Sequence, residues 1–167
     1  MKSSTSNITR ESRQIIDDIR RLVQAVRLAS TRAEKKFGLS AAQLFVLHKL
    51  GDEKGLSIND LAERTLTHQS SVSVVVKKLE AKQLVKRAVA SEDGRKLEIW
   101  LTQKGASLIR KSPETIQEQL INGLSKMKPA KRHQLAQYFS EFLSNAEIKG
   151  EATMLDEETH AKKKIQK

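Results

Sequence analysis

Apolar positions along most of the chain recur at the spacing of an amphipathic helix. Residues 10–36 predict a long first helix, and Gly38 is suited to end it in the left-handed conformation. The apolar face of this helix comprises Ile15, Ile19, Leu22, Val23 and Val26. A short helix capped by Ser40 is expected next, followed by a polar turn over residues 51–55.

Two further short helices are predicted close together in the middle of the chain. The first covers residues 58–65, and the second runs from Ser70 to Lys82 with apolar residues at i, i+3, i+4 and i+7 from Val72. A few polar residues separate them. Two helices of this length joined by so short a turn predict a helix-turn-helix.

The hydrophobic period changes from helical to alternating directly after this pair. Residues 84–90 are rich in β-branched and basic side chains, and residues 91–94 are of types that favour a turn. In the stretch that follows, Leu97, Ile99 and Leu101 lie at every second position and so face one way. This pattern predicts a β-hairpin with one buried face. A hairpin directly after a helix-turn-helix is a wing.

The C-terminal part returns to helical spacing and contains both prolines of the chain. Thr102 is a suitable N-cap for the next helix, and Pro113 should kink or break that helix because proline removes a backbone donor. Pro129 marks the start of another helix. The apolar stripe of this last helix consists of Leu135, Phe139, Phe142 and Leu143.

Together these elements predict a mainly α fold with a small β-hairpin wing, that is, a winged helix-turn-helix with N- and C-terminal dimerisation helices. The expected organisation is a flexible N-terminus 1–9, a domain 10–146 made of a DNA-binding lobe 39–102 and dimerisation helices 10–36 and 103–146, and a charged disordered tail 147–167. A lobe this small cannot cover several apolar helices, which favours burial between two subunits. An intramolecular core is the alternative.

The amino-acid composition limits the kinds of binding partner and site that the chain can have. The formal net charge is +11, which favours a polyanion such as nucleic acid or an anionic membrane face, although simple solubility is an alternative. The chain has no cysteine, which excludes disulfides and thiol-based sensing. No apolar run is long enough to cross a membrane, and the polar N-terminus is unlike a secretory signal, so a cytoplasmic location is expected.

The second helix of the helix-turn-helix carries the candidate DNA-binding residues. Steps of 100° put small, hydrogen-bonding or cationic side chains opposite its apolar stripe, as a major groove about 12 Å wide requires. These residues are Ser70, Ser73, Val74 and Lys77, flanked by Ser71 and Lys78. An ordinary solvated helix face is the alternative. Residues 64–96, however, contain eight basic and three acidic residues, a net charge of +5 where this surface is predicted.

The tip of the predicted wing offers a second DNA contact. Arg95, followed by Lys96, can place a long cation in a narrow minor groove. Asp93 is expected to orient the tip, because a carboxylate repels phosphate. The alternative is that Asp93 and Gly94 form only a turn.

The sequence does not favour a metal site, a cofactor or catalysis. Its four histidines, His48, His68, His133 and His160, have no i, i+3 or i+4 spacing, so a metal site would require ligands assembled in space. There is no glycine-rich phosphate loop, nucleophile-elbow serine or HExxH motif. We therefore expect a binding protein, not an enzyme.

The order of motifs resembles the multiple antibiotic resistance regulator (MarR) family. The resemblance covers roughly residues 10–146, and its specific part spans residues 39–105. The motifs are Leu39-Ser40, Gln43, Leu47, Leu50, Ile58, Leu61-Ala62, Ser71-Val72-Ser73, Leu79-Glu80, Leu84-Val85, Arg87, Asp93-Gly94-Arg95 and Leu101-Thr102-Gln103-Lys104-Gly105.

This resemblance implies a homodimer that binds a pseudo-palindromic double-stranded DNA operator and regulates transcription, usually by repression. It assigns residues 70–78 to the recognition helix, Arg95 to the wing arginine and Asp93 to the acid that braces it. The family often has an arginine where this chain has Gly94, which puts the strength of the wing contact in doubt. Many members release DNA when a small aromatic acid or phenol binds between the lobe and the dimer helices.

Two other classes of function stay open. A non-specific nucleoid protein would use only the charge and would bind all duplexes equally. A protein-interaction module would dock its wing on an acidic protein. Neither would discriminate an operator from random DNA.

Overall fold

The fold is described by a computed structural model for residues 9–89 and 97–149. This part of the chain forms seven helices and one antiparallel hairpin, which confirms the predicted mainly α fold with a β-hairpin. The elements are α1 (Arg10–Phe37), α2 (Ala41–Asp52), α3 (Ile58–Arg64), α4 (Gln69–Ala81), β1 (Val85–Val89), β2 (Leu97–Leu101), α5 (Gln103–Ile109), α6 (Ile116–Ser125) and α7 (Pro129–Asn145).

Side-chain caps set most of the helix starts. Ser40 begins α2, Ser57 begins α3 and Thr115 begins α6, each in a capping box with the residue three positions later. Gly38 ends α1 with φ of 65°, as predicted. The expected polar turn over residues 51–55 is shorter than predicted, because α2 continues to Asp52.

Most of the buried core lies within the lobe, residues 39–102, where α2, α3, α4 and the hairpin meet; Ala33 of α1 also belongs to it, and Leu108 and Ile109 of α5 pack against it. Phe45 and Leu47 of α2 and Leu61 of α3 are among its fully enclosed side chains. On α4 the four residues of the predicted stripe are all buried: Val72, Val75, Val76 and Leu79. The apolar face of α4 is therefore buried inside the lobe, and its opposite face points away from the core.

The hairpin is antiparallel, and its register pairs Val85 with Leu101 and Val89 with Leu97. Ile99 is buried and also bridges Leu56 through two backbone hydrogen bonds of 2.8 and 3.3 Å. The prediction that Leu97 is buried with Ile99 is wrong: Leu97 is 54% exposed and Val89 opposite it is 58% exposed. At that end of the hairpin, the residues that the structure describes do not cover Val89 and Leu97.

Pro113 breaks the helix instead of kinking it. Helix α5 ends at Ile109 and α6 starts anew at Ile116. Thr115 supplies a fresh N-cap, whose side chain accepts from the backbone amide of Glu118. Pro129 is at the start of α7, as predicted, where its missing N–H costs no hydrogen bond.

The apolar faces of the outer helices α1, α6 and α7 are partly exposed to solvent. Within the described chain, no residue of α6 or α7 is fully buried. Ile15 of α1 is 50% exposed and Phe139 of α7 is 46% exposed. Helix α5, by contrast, packs on the lobe, since a Cβ at Gly105 would lie 2.2 Å from the Leu84 carbonyl oxygen. In the two described segments, no helix combines the length and apolarity needed to cross a bilayer.

Candidate nucleic-acid interface

The turn between α3 and α4 is held by short local hydrogen bonds. The hydroxyl of Thr65 donates to the Leu61 carbonyl at 2.6 Å, and the amides of Leu66 and Thr67 donate to Glu63 and Ala62 at 3.1 and 3.0 Å. Leu66 adopts a left-handed φ of 52° although it is not glycine. Because its backbone bonds are made locally, the turn fixes the direction in which α4 leaves α3.

Helix α4 separates its side chains into two faces. Ser70, Ser73, Val74 and Lys77 are exposed, and Ser71 and Lys78 are partly buried beside them. The six predicted residues therefore share one helix, and the four exposed ones lie opposite the buried valines. The exposed surface consists of short hydroxyl side chains, one aliphatic side chain and flexible cations. Such a surface has little bulk and many hydrogen-bonding groups, which suits approach to base edges.

Part of the positive charge counted in this region is neutralised within the lobe. The guanidinium of Arg64 makes a two-pronged ion pair with the Glu53 carboxylate, with Nε to Oε1 at 2.7 Å. This hydrogen bond raises the pKa of Arg64 and lowers the pKa of Glu53. Arg87 pairs with Glu80 at 3.2 Å. The net charge of residues 64–96 therefore overstates the cations available to an outside phosphate.

Lys77 and Lys86, unlike Arg64 and Arg87, form no ion pair with a carboxylate of the described residues, and both are exposed. Lys82 has its ammonium 2.6 Å from the Gly38 carbonyl oxygen, to which it donates. The available cations of this region thus include one on α4 and one on β1. The predicted wing residues Asp93, Gly94, Arg95 and Lys96 lie outside the described residues.

A buried polar bridge joins the lobe to the outer helices. His48 Nδ1 of α2 lies 3.0 Å from Glu118 Oε2 of α6, and the two side chains are 14% and 12% exposed. Lys49 Nζ lies 3.4 Å from Glu118 Oε1, and Thr115 donates to Glu118 through both its amide and its hydroxyl at 2.8 Å. Burial alone would raise the pKa of Glu118, but these hydrogen bonds and cations outweigh it and leave that pKa lowered.

Sequence reasoning treated His48 as a lone histidine and did not find this bridge. The available signal was the capping box, with Glu118 three positions after Thr115. His48 and Glu118 are too far apart in sequence for spacing alone to pair them.

A cavity of about 580 Å³ lies between α1, the start of α2 and the connection from α5 to α6. Its wall includes Leu28 and Ala29, and its rim includes the cations Arg32 and Lys36. Gln117 also lines it, and neither its side-chain nitrogen nor its oxygen has a hydrogen-bond partner among the described residues, although both atoms are buried. A buried amide without partners is costly unless a guest molecule satisfies it.

The chain has relatives among curated proteins. A family model described as MarR family matches residues 37–96. The HTH-type transcriptional regulator MgrA of Staphylococcus aureus is 30% identical over 107 residues, which cover 64% of this chain and 67% of MgrA. The chain belongs to the MarR family. The HTH-type transcriptional repressor MdtR of Bacillus subtilis is 31% identical over 96 residues, or 55% of this chain and 62% of MdtR, so this MarR chain spans less than two thirds of that relative.

Solved structures of MarR proteins share this architecture. The crystal structure of the S. aureus MepR-DNA complex is similar with a TM-score of 0.53 at 24% identity, covering 80% of this chain and 96% of MepR. This similarity confirms the winged-helix fold predicted from the sequence. The MarR family model covers α2, α3, α4 and β1, the elements that build and support the candidate interface.

Proposed function

We propose that this chain binds double-stranded DNA in a sequence-specific manner and regulates transcription, most simply as a repressor. The observation that carries this proposal is the two-sided character of α4. Its valines anchor it in the lobe core, and its serines, Val74 and Lys77 face outward. A helix held so firmly on one side can enter a major groove without deforming, while hydroxyls and cations contact bases and phosphates.

The MarR relatives support the same function. MdtR is named a transcriptional repressor and MgrA a transcriptional regulator. MepR, which shares the fold, was solved in complex with DNA. A folded scaffold that binds DNA in one protein supports a similar use of α4 here, although the contacts themselves depend on this chain's own side chains.

We propose that the active form is a homodimer joined by the outer helices. Residues 9–89 and 97–149 leave these apolar side chains of the outer helices half-exposed: Ile15, Ile16, Leu22, Val23, Leu120, Leu124, Leu135 and Phe139. Contiguous apolar surface of this kind usually marks an interface. A two-fold dimer presents two copies of α4, so the operator should be pseudo-palindromic with half-sites about one helical turn apart.

The wing is proposed as the second contact of each subunit. Arg95 and Lys96 would reach the minor groove or the backbone, and Asp93 would orient the tip. The exposed pair Val89 and Leu97 is consistent with a hairpin that projects from the lobe. A projecting hairpin has the reach that a contact beyond the major groove requires.

The cavity between α1 and α6 is the proposed site of a small effector, an aromatic acid or a phenol. Arg32 and Lys36 offer charge to an acid, and the aliphatic side chains of the lining suit an aromatic ring. The cavity lies beside the helices that would set the separation of the two α4 copies. Salicylate titrated into the protein–DNA complex provides the test: release of DNA supports the site, and Arg32→Ala, which removes a lining cation, should reduce that response.

A competition gel shift tests the function directly. The full-length protein is incubated with DNA from upstream of its own gene and challenged with random duplex. We expect preferential retention of the upstream fragment. The Lys77→Ala variant should bind all duplexes more weakly, with a salt slope reduced by about two, one for each subunit of the dimer. Arg95→Ala should weaken binding too, whereas Lys111→Ala, in the exposed connection between α5 and α6, makes the same charge change outside α4 and should not.

The outcomes separate the alternatives. Equal affinity for both duplexes with a steep salt slope would identify a nucleoid-type binder. Full DNA affinity in both Lys77→Ala and Arg95→Ala would contradict the proposed surface and favour a protein-interaction module. A reporter gene placed behind the retained fragment then distinguishes repression from activation.

A further inference from the structure

Val74 is an unusual residue for its position on α4. Its side chain is 54% exposed, and its neighbours on that face are Ser70, Ser73 and Lys77, which are polar or charged. The core does not require it, because the valines that hold α4 in the lobe lie on the other side. An aliphatic side chain here lies in water amid hydrogen-bonding groups.

Helix propensity does not explain an exposed valine at position 74 either. A β-branched residue loses side-chain freedom in a helix, so alanine, lysine or glutamate would suit an exposed helical position better. A residue that opposes its local preference and has no role in the core is expected where a surface is built for function.

We propose that Val74 contacts the 5-methyl group of a thymine in the major groove, which makes it a specificity-determining residue of the DNA site. This inference rests on the proposed function. Thymine is the base that presents a methyl group there, and an apolar side chain is its matching contact. Valine is short, so its methyl groups reach a base only if the helix approaches closely. Ser70 and Ser73 beside it are small enough to allow that approach.

Replacing thymine by deoxyuridine removes this methyl group and nothing else. Duplexes are first selected from a random pool by the full-length wild-type protein, and each thymine of the selected sequence is then replaced in turn. We expect one thymine in each half-site whose replacement weakens wild-type binding about fourfold, the value of one buried methyl-sized group. Replacing both at once should weaken binding by about fifteenfold.

The Val74→Ala variant identifies the residue responsible. It should bind the thymine duplex more weakly than wild type and show a clearly smaller preference for thymine over deoxyuridine, because the single methyl group of alanine contacts less of the base methyl group. Ser73→Ala is the matched variant on the same helix face: it should bind more weakly overall but keep the fourfold preference for thymine. Because Val74 is exposed and alanine is the better helix former, Val74→Ala should melt no lower than wild type.

Two results would overturn the proposal in distinguishable ways. If the selected duplex binds tightly and no thymine position distinguishes wild type from Val74→Ala, the methyl contact is wrong and DNA binding stands. If the wild-type protein retains no duplex even at low ionic strength, the proposed function fails and this inference fails with it.

Discussion

The lobe and the outer helices bury apolar surface in different ways. The lobe encloses its own core, and Leu61, Val76 and Leu79 have no measurable exposure. On the outer helices, Ile15 and Phe139 remain about half exposed in the same chain. The core of the lobe is thus almost fully enclosed, whereas the apolar faces of the outer helices are not covered by the residues that the structure describes. Stability of the first should be independent of protein concentration, and stability of the second should not.

The largest expected effect comes from the lobe core. Leu79→Ala removes a fully buried side chain from α4 and should lower the free energy of unfolding by about 2–5 kcal/mol. Chemical denaturation followed by circular dichroism measures it. Because Leu79 lies inside one lobe, the loss should be the same at low and high protein concentration. A loss that vanished on dilution would contradict the idea of a self-contained lobe.

The next effect should appear on the outer helices. Phe139→Ala should weaken subunit association by about 1–3 kcal/mol if a second copy covers the exposed half of the ring. Analytical ultracentrifugation over a dilution series measures the change in dimer dissociation. Glu141→Ala, in the same helix, serves as the control and should leave the dissociation constant near that of wild type. An unchanged dissociation constant for Phe139→Ala would show that α7 does not form the interface.

The polar bridge that joins the two regions gives a pH-dependent effect. Because the pKa of Glu118 is lowered in the folded protein, its contribution to stability is present above the unfolded pKa, about 4.3, and is lost as pH falls through the lower folded value. Glu118→Gln should therefore cost about 1–2 kcal/mol at neutral pH, and the difference from wild type should shrink below about pH 4. Thermal melts between pH 3 and 7 measure this difference.

Glu141→Gln again provides the matched control, since it removes an exposed carboxylate without touching the bridge. A Glu118→Gln penalty that stayed constant down to pH 3 would contradict the role of the ionised carboxylate.

The smallest expected effect concerns the turn before α4. Leucine at φ of 52° is strained, and Leu66 is 72% exposed, so Leu66→Gly removes strain and little burial. We expect a gain in stability of about 0.5–1 kcal/mol, measured by thermal denaturation. Thr67→Gly, at a neighbouring residue without positive φ, should instead destabilise the turn. A loss of stability in Leu66→Gly would mean that its side chain makes a contact worth more than the strain.

How far the sequence predicts the molecule depends on the range of the interactions. The buried stripe of α4 and the cap at Gly38 are local patterns, and both predictions were confirmed. Leu97 was wrongly predicted as buried. The alternating pattern shows that Leu97 lies on the same face of the strand as Ile99, but it does not show how far along the strand the rest of the lobe covers that face. Whether Pro113 kinked or broke its helix was decided by the new cap at Thr115.

The candidate site shows the same limit. The six residues of α4 were predicted from helical spacing, and their exposure agrees with it. The pairing of Arg64 with Glu53 joins residues eleven positions apart across a turn, so a count of charges along the sequence could not show it. The cavity combines residues of α1 with residues near Pro113, and only the folded chain brings these together.

Hydroxyl-radical footprinting on the selected duplex tests most directly the central claim that two copies of α4 enter DNA side by side. We predict two symmetric protected patches centred about 10 base pairs apart, both weakened by Lys77→Ala and unchanged by Lys111→Ala. A single patch, uniform protection along the duplex, or protection that Lys77→Ala leaves intact would contradict the claim.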